Sequence, residues 1–124
     1  MAKYFAKEDL PHYVSTRDTR DRLDMVKAST ELGEHFMADR IIYHPGDDCA
    51  PHYHEGAYHL FYMLYGEGWV DIDYERHRMK PGSTIVIAPE EVHQFKNDME
   101  ENFAFLEYWA PKPSGMVNVI PDDI

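Results

Sequence analysis

The stretch APHYHEGAYHLFYMLYGEG, Ala50 to Gly68, decides how the chain is read. Three histidines, His52, His54 and His59, fall within eight positions of an otherwise aromatic and aliphatic segment, which closes on Gly66 and Gly68. On a strand, residues two apart point to the same face, so the His52 and His54 rings project together. His59 follows a short turn at EGAY, and an adjacent antiparallel strand would bring it back beside them. His93 lies far along the chain, where another strand begins after the turn APEE. Four imidazoles converging inside one β structure would make a first-row transition-metal site, since imidazole suits Zn, Fe, Ni and Cu. His-x-His spacing alone is a weak signal, and a lone histidine is ordinarily a surface group or a singly hydrogen-bonded core group. His12, His35 and His77 are read in that ordinary way; His44, ahead of Pro45-Gly46, belongs either with them or near a barrel mouth.

Outward from this segment, the texture is that of strands. From Phe36 onward, short runs rich in β-branched and aromatic residues alternate with turn residues. The runs are FMADRIIY, AYHLFYMLY, WVDIDY, STIVIA, VHQFKN and NFAFLEYWA; the punctuation is HPGDD, GEG, ERH, KPG, APEE and NDMEEN. WVDIDY alternates strictly, as a half-buried strand does. Close, regular strands without helices between them predict an antiparallel sandwich or barrel. Upstream, residues 1–34 are polar and weakly patterned and read as an N-terminal arm. Ser15 to Ala28 is expected to form a short helix, with Leu23 and Val26 on one face. The barrel is assigned to 35–111. The proline-rich tail, 112–124, is expected to wrap the outside or reach a partner subunit.

The bulk numbers agree with a single domain of 124 residues, 44% hydrophobic and 28% charged. The net charge of −11, from 23 acidic against 12 basic residues, argues against nucleic acid and against an anionic membrane surface. No stretch approaches the roughly 20 apolar residues of a membrane helix. The first residues lack the apolar block of a signal peptide. A single cysteine, Cys49, excludes an internal disulfide, and a reducing cytoplasm is the expected compartment. Cys49 has no evident base partner and reads as an incidental thiol.

The wider frame around the histidines carries a resemblance. Gly46, then His52-x-His54, His59 and Gly66 resemble the first motif of the cupin superfamily, with His59 where that motif has Glu. Gly82, then Pro89, His93 and Asn97 resemble its second motif, with Ala88 in place of Pro and Glu90 in place of Gly. The resemblance spans roughly residues 36–110. It implies an all-β, cupin-type antiparallel jelly-roll β-barrel, with a short N-terminal helix or arm. It also implies one divalent transition-metal ion per chain (Fe, Mn, Zn or Ni) held by His52, His54 and His93. His59 either supplies the fourth ligand or stands off as a proton shuttle. By analogy with cupins, and because pairing between subunits would cover exposed strand edges, a homodimer is expected.

Exchanging the carboxylate for imidazole matters chemically. A neutral ring leaves the ion both of its positive charges, so the site is a stronger electrophile and favours anionic or bidentate oxygen substrates. Binding needs neutral imidazoles, so metal affinity is expected to fall as pH drops through the histidine range near about 6.5. Strand parity places Phe61 and Met63 on the face of His59, and Phe95 on that of His93, as an apolar substrate pocket. Tyr53 and Tyr62 point to the opposite faces. Parity also puts Phe103, Phe105, Glu107 and Trp109 on one face of the last long run. If that face looks inward, Glu107 is a candidate general base with a raised pKa; otherwise it is an ordinary edge or interface glutamate. The expected function is a mononuclear metal enzyme acting on a small oxygenated metabolite, with a dioxygenase favoured. A non-redox lyase, isomerase or cyclase, and a non-catalytic sugar- or acid-binding module, are the alternatives. His59 and Glu107 are the candidate catalytic groups.

Overall fold

Six of the anticipated runs become the long walls of two antiparallel sheets. In the computed structural model, the described residues are 4–14, 20–26, 36–111 and 117–118. Within them the strands are β1 (His12–Val14), β2 (Asp21–Asp24), β3 (Met37–Tyr43), β4 (His52–Tyr53), β5 (Tyr58–Tyr65), β6 (Gly68–Ile72), β7 (Glu75–Met79), β8 (Thr84–Ile87), β9 (His93–Lys96), β10 (Phe103–Ala110) and β11 (Val117–Asn118). One sheet has the order β1-β2-β3-β10-β5-β8 and the other β11-β4-β9-β6-β7. The expected all-β, antiparallel architecture is therefore the observed one. Among the described residues no helix is long and apolar enough to cross a membrane.

Alternation of side chains sets what lies between the sheets. β5 reads as exposed and buried in turn: Tyr58, Leu60, Tyr62 and Leu64 face outward, and His59, Phe61 and Met63 are buried. On β10, Phe105 packs against Phe61 and Trp109 against His59, so the odd-numbered residues face inward. The core joins Tyr43, Phe61, Met63, Val70, Phe95, Phe103 and Phe105. Burying each such side chain contributes about 1.5–3 kcal/mol, which accounts for the hold of one sheet on the other. Tyr43 stacks on Phe103 with ring centroids 4.9 Å apart, and Phe95 on Phe105 at 4.9 Å. Asn97 closes this end. Its side-chain amide donates to the carbonyls of Tyr43 and Glu101, and its oxygen accepts from the Met99 N–H.

Three places depart from the sequence reading. The helix expected over 15–28 is not formed where it is described: Asp21–Asp24 is β2, paired with β3, and Leu23 and Val26 are buried there without helical geometry. Residues 15–19, 27 and 28, like His35, lie outside the described residues. The segment ERH, read as punctuation, opens β7. The chain reverses through Asp73 and Tyr74, both with positive φ (47° and 67°), a two-residue hairpin turn whose twist suits the flanking strands. β7 is an edge strand that buries only Met79, so its sequence carries no apolar alternation. In the tail, Val117 and Asn118 pair with Tyr53 and His52 and add an edge to the second sheet.

Candidate metal centre

The two sheets bring the histidines together from separate strands. His52 of β4 and His93 of β9 are direct partners in the antiparallel ladder, with ring centroids 4.2 Å apart. His54 follows β4 and stands 5.1 Å from His52 and 5.6 Å from His93. Ligand atoms of His52, His54 and His93 all lie within 4.8 Å of one another, and all three side chains are buried. Backbone carbonyls fix how two of these rings present themselves. His52 Nδ1 lies 2.7 Å from the Ala50 carbonyl and His93 Nδ1 lies 3.0 Å from that of Glu91. A carbonyl only accepts, so each Nδ1 carries the proton and each Nε2 keeps its lone pair free. A metal-binding histidine is ordinarily oriented in this way. The donor set therefore fits a divalent transition-metal ion.

The loop that presents His93 is tied to the loop that presents His54. Glu90 N–H donates to the His54 carbonyl at 2.9 Å, and the Glu91 carboxylate accepts from the Ala88 N–H at 2.7 Å. Glu90 has φ +69°, a conformation that favours glycine. The position at which the cupin motif has Gly is thus a left-handed turn here as well, occupied by a side chain that tolerates it less readily.

His59 sits beside the three donors rather than among them. Its ring centroid is 4.5 Å from that of His54 and 5.3 Å from that of His93, and the Trp109 indole packs edgewise against it. The residue is 1% exposed, and neither ring nitrogen has a hydrogen-bond partner. Burying an imidazole without a partner is costly, which sets His59 apart from His52 and His93, whose Nδ1 atoms are held by carbonyls. Burial, with the other imidazoles adding to it, lowers the His59 pKa to about 2; burial and His52 lower that of His93 to about 3. Both rings are neutral at physiological pH and available as donors.

The remaining sequence candidates separate by position. Phe61 and Phe95 floor the cluster, with ring centroids 5.4 Å from His59 and 6.2 Å from His93 respectively, while Met63 lies in the closed core. Glu107 faces inward between Phe105 and Trp109. Its pKa is raised to about 8 by burial first and by the charge of Asp39 next, against the lowering influence of Trp109 and Arg22. Tyr62 faces outward, as expected. His44 lies beyond the far end of β3 with Asp47 and Asp21, His12 pairs with Asp21, and His77 is exposed. None of these three joins the donor group. Cys49 is buried, with its thiol between the backbone of Phe95 and the core. Sequence reasoning missed Trp109 as the wall of His59, and Asp39 as the partner of Glu107. The signal for Asp39 was present: it interrupts the inward set Met37, Ile41 and Tyr43 with an acid.

A small antiparallel barrel with buried imidazoles from facing strands defines a β-barrel domain whose His52, His54 and His93 could hold a metal ion. The cupin domain family matches residues 39–109, and the chain belongs to that family. The protein SchB of Streptomyces halstedii is 30% identical over 117 residues, 91% of this chain and 83% of that protein. The fold is also that of the polyketide cyclase RemF from Streptomyces resistomycificus, with a TM-score of 0.81 and 21% identity over 99% of this chain and 89% of that one. A cupin sugar phosphate isomerase from Silicibacter pomeroyi superposes with a TM-score of 0.80 and 18% identity, over 97% and 83% of the two chains.

Proposed function

We propose that this chain is a metal-dependent, non-redox cupin enzyme, a cyclase or isomerase that enolises a small carbonyl-bearing metabolite. The observation that carries the reading is the donor set of His52, His54 and His93: three imidazoles and, among the described residues, no carboxylate. A divalent ion held there would keep both positive charges and supply Lewis-acid polarisation of a ketone or 1,3-dicarbonyl oxygen pair. The names of two relatives of like fold, a polyketide cyclase and a sugar phosphate isomerase, describe chemistry of this non-redox kind.

The chain's own groups then have distinct tasks. His52 and His93 present Nε2, held in that tautomer by the carbonyls of Ala50 and Glu91. His59 is a fourth donor or a hydrogen-bonding group toward substrate, since both its nitrogens are free. Phe61, Phe95 and Trp109 exclude water around the cluster and strengthen electrostatic interactions inside it. Glu107 is placed on the same interior wall to exchange protons.

The dioxygenase favoured by the sequence remains the second reading, because a three-histidine set leaves coordination positions for oxygen as well as substrate. Elemental analysis of protein purified without a histidine tag identifies the native metal. Zinc- or manganese-loaded protein should then catalyse exchange of the central protons of acetylacetone in anaerobic D2O. Activity found only with ferrous iron and accompanied by oxygen uptake would overturn the non-redox assignment in favour of the dioxygenase.

A further inference from the structure

Asp39 and Glu107 face each other across the β3–β10 ladder, on the interior side of the sheet. Glu107 stands between Phe105 and Trp109, and next to Phe61 of β5, one row from His59. Asp39 is 1% exposed, and its Oδ1 has no hydrogen-bond partner. The row continues to Asp24 of β2, the ladder partner of Asp39. Three acids therefore line up across three adjacent strands, with Arg22 of β2 as the cation acting on the pair. Like charges so placed in a desolvated wall cannot all ionise. The Asp39 and Glu107 side chains leave directly paired positions of the ladder on the same face, so a single proton can serve both carboxyl groups.

We propose that Asp39 and Glu107 form a proton-sharing pair in which Glu107 is the catalytic residue, acting as a carboxylic acid rather than as a carboxylate base, and Asp39 is the positioning residue that keeps it protonated. The substrate half of this inference rests on the enolising function proposed above. A carboxylic acid can exchange two protons at once. Its O–H bond breaks as that proton passes to the substrate carbonyl oxygen, and its other oxygen takes the proton of the neighbouring carbon. The C–H electron pair becomes the C=C bond of the enol, the C=O π pair goes to the new O–H, and Glu107 ends protonated as it began. No oxidant or reductant enters. The orphaned Asp39 Oδ1 is the mark of a charge kept for its effect on Glu107. Burial raises both carboxyl groups above the ordinary carboxylate range, so near neutral pH the pair retains a proton. The charged groups facing the pair are Asp24 and Arg22 of β2. β5 contributes Phe61 and, one row away, neutral His59; β10 itself contributes the Trp109 indole.

The test uses the zinc-loaded full chain with acetylacetone as probe, and infrared spectroscopy as a second readout. At pH 7 the carbonyl stretch of a protonated carboxylic acid, recognised by its shift in D2O, should be present in the parent protein and absent in Glu107→Gln. Asp39→Asn should retain the fold and move the loss of that band with rising pH downward by about one pH unit or more. The alkaline limb of acetylacetone proton exchange should move with it, and Glu107→Gln should slow exchange by about 100-fold or more. Absence of the acid band in the parent overturns the protonated pair. A band unaltered in Glu107→Gln overturns the assignment of the proton. Exchange that is unaffected by Glu107→Gln overturns the catalytic role. A parent protein that shows the band yet exchanges no probe proton supports the pair and overturns the enolising function instead.

Discussion

His52 and His93 face each other directly across the β4–β9 ladder, their rings 4.2 Å apart, although 40 residues of chain separate them. One member of the pair needs the other's strand for its position, and both need a backbone carbonyl for their tautomer. Replacing His52 or His93 by Ala should lower metal affinity by more than about 100-fold, beyond the effect usual for a supporting partner. The aromatic core lies below these rings, so folding should survive. Elemental analysis after gel filtration checks this, with His44→Ala retaining stoichiometric metal. Full metal in His52→Ala would place the ion elsewhere.

The pH at which metal leaves follows from burial. The binding form is the neutral ring, and burial favours that form in the folded chain, to about 2 for His59 and about 3 for His93. Protons should therefore compete poorly for His93, and dialysis at stepped pH should show metal lost only below the ordinary histidine range. The metal-free protein carries the same sign. Between the folded values and the ordinary value of 6.5, the unfolded chain binds more protons, so stability falls as pH drops through that window. Glu107 and Asp39 act in the opposite sense over the same window, so the histidine contribution is read by difference: lowering the pH from 7 to 5 should cost the parent on the order of 2 kcal/mol more than it costs His59→Gln in denaturant titrations.

Glu90 gives a test of the turn that carries His93. With φ +69° it occupies the left-handed region, at a cost of roughly 1–2 kcal/mol for a residue with a Cβ. Glycine removes that cost but loses more entropy on folding. Glu90→Gly should therefore stabilise the protein by about 0.5–1 kcal/mol and leave metal content unchanged, because the Glu90 N–H to His54 carbonyl bond is a backbone bond. Thermal denaturation together with metal analysis reads both.

The sequence made the barrel legible where alternation met a buried face. YHLFYMLY announced β5 and HQFK announced β9, because one side of each strand lies on the core. It failed where a strand borrows its stability from a neighbour. Asp21–Asp24 is polar and short, and becomes a strand by pairing with β3; Glu75–Met79 is set by the Asp73–Tyr74 turn and not by its own apolar content. At the site, parity placed the rings of His52 and His93 and pointed Glu107 inward. Parity cannot say which strands become neighbours. The opposition of Asp39 to Glu107 is a matter of register between segments 68 positions apart, and no local pattern encodes it.

Glu107 also makes the protein's stability depend on pH in a direction opposite to that of the histidines. Its folded pKa of about 8 lies above the ordinary 4.5, so the folded chain binds more protons than the unfolded one between those values. The stabilisation is complete below about 4.5, declines as pH rises through the window, and is gone above 8. Asp39, raised from 3.8 to about 6, adds the same sign over its lower window. Glutamine keeps the shape of Glu107 and carries no titrating proton. Glu107→Gln should accordingly resemble the parent near pH 5 and exceed it at pH 9 by on the order of 4 kcal/mol. Guanidinium titrations of both proteins at the two pH values decide the matter. Equal stability at pH 9 would mean that the Glu107 carboxylate is solvated and that burial does not hold its proton.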